Sequence, residues 1–70
     1  MGQREAILEY MRQNGSITPL EALHHCGCFR LGARIFDLKD MGIPIETVMV
    51  YENQNGKRTK YARYWLREKA

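Results

Sequence analysis

The sequence has no long run of apolar residues, and that absence sets the first limit on what the chain does. No stretch approaches the roughly 18 apolar residues that a helix needs to cross a bilayer. The N-terminal segment MGQREAILEYM is amphipathic and lacks the apolar core of a secretory signal peptide. We therefore expect a cytoplasmic protein that has no membrane partner.

Residues that could carry out catalysis are also scarce. Ser16 is the only serine, no glycine-rich phosphate loop is present, and no nucleophile stands in a pattern with a base. A chain of 70 residues leaves little room for a buried pocket and the shell that would support it. The sequence therefore predicts that the protein is not an enzyme and has no cofactor.

Only two cysteines and two histidines occur, and all four lie in the segment HHCGC at residues 24–28. Zinc takes Cys and His ligands, usually four of them, but Cys-x-Cys lacks the usual spacing and the chain has no second ligand pair. We interpret Cys26 and Cys28 as small buried residues at a turn, and a zinc site is the less favoured alternative. A disulfide between them is not expected, because one intervening residue strains its geometry.

The chain is basic, with a net charge of +3, and the excess lies in its second half. Residues 1–40 carry five Lys/Arg and five Asp/Glu, whereas residues 41–70 carry six and three. Five basic residues follow one another with no acid between them: Lys57, Arg58, Lys60, Arg63 and Arg67. Such a stripe suits a polyanion, and the alternative is a solvated strand face.

A first helix is predicted over residues 3–13. Three apolar residues recur there at helical spacing: Ile7, Leu8 and Met11. Gly15 is the expected end signal, because glycine readily adopts the left-handed conformation that closes a helix. Residues 16–18 then form a brief extended link, in which Ile17 points inward.

A second helix is predicted over residues 19–25, and its start signal is strong. Thr18 can cap it, Pro19 fits the first helical position, and Glu21 completes a capping box three residues after the cap. Its apolar side is expected to be formed by Leu20, Ala22 and Leu23.

A third helix is predicted over residues 29–41 and ends at Gly42. Its core stripe is expected to be Leu31, Ile35 and Leu38, at positions i, i+4 and i+7. The opposite face is expected to hold Phe29, Ala33, Phe36, Asp37 and Asp40. Two short helices around a glycine-containing turn indicate a helix-turn-helix.

A β-hairpin follows, with strands predicted over residues 45–52 and 57–66. The turn between them contains Asn55-Gly56, a strong hairpin signal. The predicted order is α-(short β)-α-α-β-β, an α+β winged helix. We expect one domain over residues 1–70, with core helices in about 3–41 and a wing hairpin in about 45–66.

Three segments, ITPLEAL, RLGARIFDLKDMGIPI and NGKRTKYARYWL, resemble the small winged helix-turn-helix domains that are common in phage and prophage genomes. The resemblance covers nearly the whole chain and implies the winged-helix fold and double-stranded DNA as the partner. The chain departs from the family pattern at Phe36, where a small polar residue is usual, and at Cys26 and Cys28, where aliphatic residues are usual.

The DNA-binding hypothesis names residues on the third helix and on the wing. Arg30 begins the third helix, and arginine can bind guanine bidentately in the major groove. Arg34 ranks below it, since Asp37 stands three residues later and favours an ion pair. The full predicted set is Arg30, Arg34, Lys57, Arg58, Lys60 and Thr18, where the last would hold a phosphate at the start of the second helix. A transcriptional regulator of this size is expected to act as a homodimer.

The alternative hypothesis is a protein-binding module, such as a phage-encoded inhibitor of a host defence complex. Phe36, Asp37 and Asp40 lie on the face that a recognition helix would turn toward DNA. Carboxylates there repel phosphate, and an exposed aromatic ring suits a protein surface. These three residues are therefore the predicted interface with a host protein partner.

Overall fold

The computed structural model describes residues 2–68. The elements follow the predicted order: α1 Gln3–Asn14, β1 Ser16–Ile17, α2 Pro19–Cys26, α3 Leu31–Asp40, β2 Ile45–Gln54 and β3 Lys57–Leu66. The α+β architecture of three helices and a hairpin is therefore confirmed. Among the helices of this described part, none combines the length and apolar content needed to cross a membrane.

The third helix begins later than predicted. Arg30 has φ −120° and ψ 62°, which is not helical, so it precedes α3 as the N-cap residue. At the other end, Met41 is the C-cap residue and Gly42 follows with a φ of +91°. The prediction of residues 29–41 was therefore too long at both ends.

The three strands form an antiparallel sheet in the order β1-β3-β2. Ile45 pairs with Leu66 at one end of the hairpin, and Gln54 pairs with Lys57 at the other. The turn has two residues, not the four predicted, because Asn55 (φ 52°) and Gly56 (φ 77°) are both left-handed. Positive φ at both central residues is what a tight hairpin turn of this hand requires.

The core lies between the three helices and the inner face of the sheet. Its fully buried apolar residues are Ile7, Met11, Ile17, Ala22, Cys28, Leu31, Ile35 and Leu38. The predicted core stripe of α3, the inward-pointing Ile17 and the buried position of Cys28 are confirmed. Partly buried residues from the hairpin complete the packing: Ile45, Tyr64 and Leu66.

The predicted apolar side of α2 was wrong. Leu20 is 64% exposed and Leu23 is 38% exposed, whereas Ala22 is fully buried. The side of α2 that faces the core holds Ala22 and, four residues later, the half-buried Cys26. The two leucines fall on another side of the helix and stay in solvent.

Candidate nucleic-acid interface

α3 lies with one side in the core and its opposite side in solvent. Leu31, Ile35 and Leu38 are at most 3% exposed. One flank of the helix meets the sheet, where the Lys39 Nζ donates a hydrogen bond of 3.2 Å to the Thr47 hydroxyl. On the same flank, Gly32 faces the Tyr64 hydroxyl, which would lie 3.8 Å from a Cβ added at the glycine.

The inner face of the hairpin, which meets α3, can be followed outward to the turn. Thr47 and Tyr64 are paired across the strands and both approach α3. Side chains alternate along a strand, so the pairs on this face are Thr47–Tyr64, Met49–Ala62, Tyr51–Lys60 and Asn53–Arg58. Arg58 and Lys60 therefore share the face of the hairpin that adjoins α3, and Lys57 lies on the other face beside the turn.

The predicted basic stripe divides into two groups. All residues of the wing tip, residues 51–60, are exposed, whereas residues 61–66 of the wing base are half-buried. The cations of the tip, Lys57, Arg58 and Lys60, form no ion pair with any residue in 2–68.

The cations beyond the tip are engaged inside the protein. Arg63 Nη1 donates to the Ser16 hydroxyl at 2.9 Å and lies 4.0 Å from the Glu21 carboxylate. Arg67 Nε donates to Glu46 Oε1 at 2.7 Å. Both guanidinium groups also approach the ring of Trp65, at 6.0 and 5.5 Å from its centroid. Among the five cations of the stripe, only the three at the tip therefore lack an ion-pair partner within residues 2–68.

The two predicted arginines of α3 differ in the same way. Arg30 is exposed and has no ion pair among the residues that the structure describes. Arg34 is half-buried, and its Nη2 lies 3.6 Å from Asp37 Oδ2, as the spacing of the two residues predicts. The buried Nε of Arg34 has no hydrogen-bond partner among those residues either. Together with Gln3 and Phe29, both arginines line a groove of about 230 Å³ beside α1.

Thr18 is buried in the cap of α2. Its hydroxyl accepts a hydrogen bond of 3.2 Å from the Glu21 N–H, and the Glu21 carboxylate accepts one of 3.0 Å from the Thr18 N–H. The predicted capping box is therefore confirmed. With 6% of its surface exposed, Thr18 offers little area to a phosphate, and its clear role is to fix the start of α2.

The exposed side of α3 carries an aromatic ring and one free acid. Phe36 is 70% exposed, and Phe29, just before the helix, is 85% exposed. Asp40 is exposed and has no ion pair within residues 2–68. Asp37 is drawn toward Arg34 at the edge of this side, so the acidic patch is smaller than the sequence indicated.

The Cys/His segment shows no arrangement typical of a metal site. Cys28 is buried in the core, and Cys26 is half-buried with a free thiol. Burial, followed by the nearby Cys28, raises the pKa of the Cys26 thiol, which disfavours the thiolate that a metal would need. His25 stacks on Tyr10 with ring centroids 5.2 Å apart. Within residues 2–68, no three His, Cys, Asp or Glu side chains are grouped so that they could hold a metal ion.

Sequence reasoning did not assign two residues to this surface. Lys39 lies within α3 on the side that faces the wing, and its signal was its position seven residues after Gly32, on the same side of the helix. Tyr51 is 73% exposed and shares the inner face of the hairpin with Lys60, its cross-strand partner. Only the pairing register identifies that neighbour.

A comparison with known families agrees with this geometry. A family model for the winged helix-turn-helix domain matches residues 2–69, and the chain belongs to that family. The family is typically a DNA-binding fold without enzymatic activity, so the match indicates DNA as the partner. Neither the curated proteins nor the solved structures include a match to the chain.

Proposed function

We propose that the chain acts as one winged helix-turn-helix unit, a DNA-binding transcriptional regulator or accessory factor of the phage or prophage type, in the cytoplasm. α3 enters the major groove and the wing tip lies along the backbone. The observation that carries the proposal is the position of Arg58 and Lys60. They lie on the face of the hairpin that adjoins α3 and have no ion pair in the described chain.

The base contacts are assigned to the start of α3. Arg30 is exposed and stands directly before the first turn of the helix, so its guanidinium can reach the edge of a guanine. Arg34 is the second candidate, because its ion pair with Asp37 must open before its guanidinium can turn to a base. Gly32 and the half-buried Ala33 between them are small and allow a close approach.

The backbone contacts are assigned to Lys57, Arg58 and Lys60. Each phosphate contact releases counterions, and so the logarithm of the affinity falls with the logarithm of salt by about 0.9 per contact. Three contacts from the wing tip would account for about 2.7 of that slope.

The test is a titration of a mixed-sequence duplex at several salt concentrations, followed by fluorescence anisotropy. The variant Lys57→Ala/Arg58→Ala/Lys60→Ala is expected to lose roughly two to three units of the salt slope. Arg12→Ala is the matched control, since Arg12 pairs with Glu68 away from the wing tip. If the unaltered protein binds no duplex at low salt, the DNA proposal is wrong.

A homodimer is the second part of the proposal, and the exposed edge of β2 supports it. β2 has ten residues, pairs with β3 alone within residues 2–68, and contains no Lys, Arg or Pro. Lysine and proline are frequent protecting residues on such an edge. β2 has neither, and its only charged residues are Glu46 and Glu52, so its edge suits pairing with a second copy. A two-fold axis through the paired edges would keep both α3 helices on one side of the joined sheet.

The oligomeric state tests this part. The pairs of the hairpin alternate between hydrogen-bonded and non-hydrogen-bonded, starting from Gln54–Lys57 at the turn, so the N–H of Tyr51 points away from β3 at the free edge. Tyr51→Pro therefore removes a donor from that edge without breaking a hydrogen bond to β3. Tyr51→Ala is the control, since it removes the side chain alone. Light scattering is expected to show a dimer for the control and a monomer for the proline variant. A monomeric unaltered protein at high concentration would contradict the dimer.

A protein-binding module remains a second candidate, because Phe36 is 70% exposed on α3. In this alternative the interface consists of Phe36, Asp37 and Asp40, and the partner is a component of a host defence complex. Affinity capture from host lysate would compare Phe36→Ala with the control Phe29→Ala. Loss of one prey protein with the first variant alone would favour the alternative, and an unchanged set of proteins would contradict it.

A further inference from the structure

The exposed side of α3 carries an aromatic ring and a carboxylate, two groups that phosphates do not attract. Its centre holds Phe36 and Asp40, which are one turn apart, exposed, and opposite the buried stripe of the helix. An apolar ring and a carboxylate gain nothing from phosphates. They must therefore meet groups on the floor of the major groove, if α3 enters it.

We propose that Phe36 and Asp40 select pyrimidines: Phe36 packs against the 5-methyl group of a thymine, and Asp40 accepts a hydrogen bond from the N4 amine of a cytosine. This inference rests on the proposed DNA binding and adds the base preference of the same helix.

The chemistry of the groove restricts each residue to one kind of base. The thymine methyl is the apolar group that the major groove displays, so it suits the ring of Phe36. A carboxylate only accepts hydrogen bonds at neutral pH, and guanine presents two acceptors there. Adenine presents a donor beside an acceptor, whereas cytosine presents a donor alone. Cytosine is therefore the base that suits Asp40 best.

The charges around this face admit a carboxylate into a polyanion. Asp37 is within 3.6 Å of Arg34, so Asp40 is the acid of this face without a described ion pair. Arg30 and Arg34 lie at one flank and the beginning of the helix, and Lys39 lies at the other flank toward the wing. Arg34 and Lys39 can face the two phosphate walls while Arg30 and the centre of the helix face the base edges.

The spacing along the helix gives the order of the bases. Phe36 and Asp40 are four residues apart, a rise of about 6 Å, which corresponds to roughly two base-pair steps of about 3.4 Å. Arg30 precedes Phe36 by six residues, a rise of about 9 Å or roughly three steps. The preferred site therefore has guanine, thymine and cytosine contacts in that order along the groove, separated by about three and two steps.

The test begins with a selection from a duplex library of about 30 base pairs with a randomised centre, a length that accommodates two half-sites. The best duplex is then made with deoxyuridine in place of thymidine, which removes only the methyl group. The unaltered protein is expected to lose about fourfold in affinity, because the burial of one methyl group against Phe36 is lost. Phe36→Ala is expected to show no difference between the two duplexes.

The selection is repeated with Asp40→Asn, whose amide pairs well with adenine. The preferred base at the cytosine position is expected to become adenine, with a preference of about fivefold, the lower end of what one good base contact provides. Both side chains are exposed, so Phe36→Ala and Asp40→Asn are expected to fold. Thermal unfolding of these variants, and of the conservative variant Phe36→Leu, checks this. A selected site that Asp40→Asn leaves unchanged, or deoxyuridine without effect, overturns the inference while DNA binding stands. If no duplex is enriched or bound at low salt, the proposed function itself fails.

Discussion

The tip and the base of the wing belong to the same two strands but serve different purposes. In β3, the cations of residues 57–60 stand in solvent, and Arg63 lies half-buried against Ser16 and Glu21. The sequence presents them as one basic stripe. What lies across from a cation decides its role, because an engaged guanidinium supports the fold and a free one remains available to a ligand.

The base of the wing also contacts the start of the helix-turn-helix. Arg63 reaches Ser16 in β1 and Glu21 in the first turn of α2, so one side chain links the last strand to the start of the helix-turn-helix. No equivalent contact joins the helices to residues 57–60 within the described chain. We therefore expect that loss of an engaged side chain at the base lowers stability, and that loss of an exposed side chain at the tip alters binding with little effect on stability.

The largest effect is expected at the strand that pairs with the wing base. Ile17 is fully buried and lies opposite Tyr64. Ile17→Ala should lower the free energy of unfolding by about 2–5 kcal/mol, because it removes buried methyl groups and leaves a cavity. Urea denaturation measures the loss. Tyr51→Ala, at the tip, is the comparison variant and should change the free energy of unfolding by less than about 0.5 kcal/mol. Equal losses for the two variants would contradict the different roles of base and tip.

Arg63 and Arg58 are two arginines of β3, one engaged at the wing base and one at the tip without an ion pair within residues 2–68. Arg63→Ala should lower the free energy of unfolding by about 1–2 kcal/mol, because the buried Ser16 hydroxyl loses its partner. Arg58→Ala should leave stability unchanged and reduce the salt slope of DNA binding by about 0.9. Denaturation and salt titration of both variants test the contrast, and a reversal of the two effects would show that the roles are misassigned.

The hairpin turn is expected to have a smaller effect that remains at the tip. Gly56 has a φ of +77°, and alanine in that conformation costs about 1 kcal/mol. Gly56→Ala should therefore speed hydrogen exchange of amides in residues 51–60 and leave those of α1 and α3 unchanged. The same variant should bind DNA more weakly. Faster exchange throughout the molecule would mean that tip and core unfold together.

The smallest effect is expected for Arg67, an exposed residue that directly follows the wing base. Arg67 and Glu46 are both more than half exposed, and ion pairs of that kind contribute about 0–1 kcal/mol. Arg67→Ala should change the melting temperature little and leave the salt slope of DNA binding unaltered. A fall in the slope similar to that of Arg58→Ala would place Arg67 among the DNA contacts.

The parts of the fold that sequence predicted are those that neighbouring residues determine. Thr18 and Glu21 cap α2 within three residues, Asn55-Gly56 forms the turn by its own conformational preference, and the core stripe of α3 follows from helical spacing. Each of these signals is contained in a short segment. The order of elements followed from them.

The parts that sequence did not predict depend on contacts between distant segments. The exposure of Leu20 and Leu23 depends on how α2 packs against the other helices. Arg63 and Ser16 are 47 residues apart, and Arg67 and Glu46 are 21 apart, so no local pattern separates the engaged cations from the free ones. The roles of Arg30, Arg34, Lys57, Arg58, Lys60 and Thr18 in binding DNA stay predictions.

The pairing of β1 with β3 has a consequence for how the protein is made. Ser16 meets Trp65 and Ile17 meets Tyr64, so one of the earliest strands in the chain takes its neighbour from one of the latest. On the ribosome, all three helices emerge while β1 still lacks that neighbour. The sheet closes only after Leu66 has left the exit tunnel, and contacts of such long range slow the final folding step.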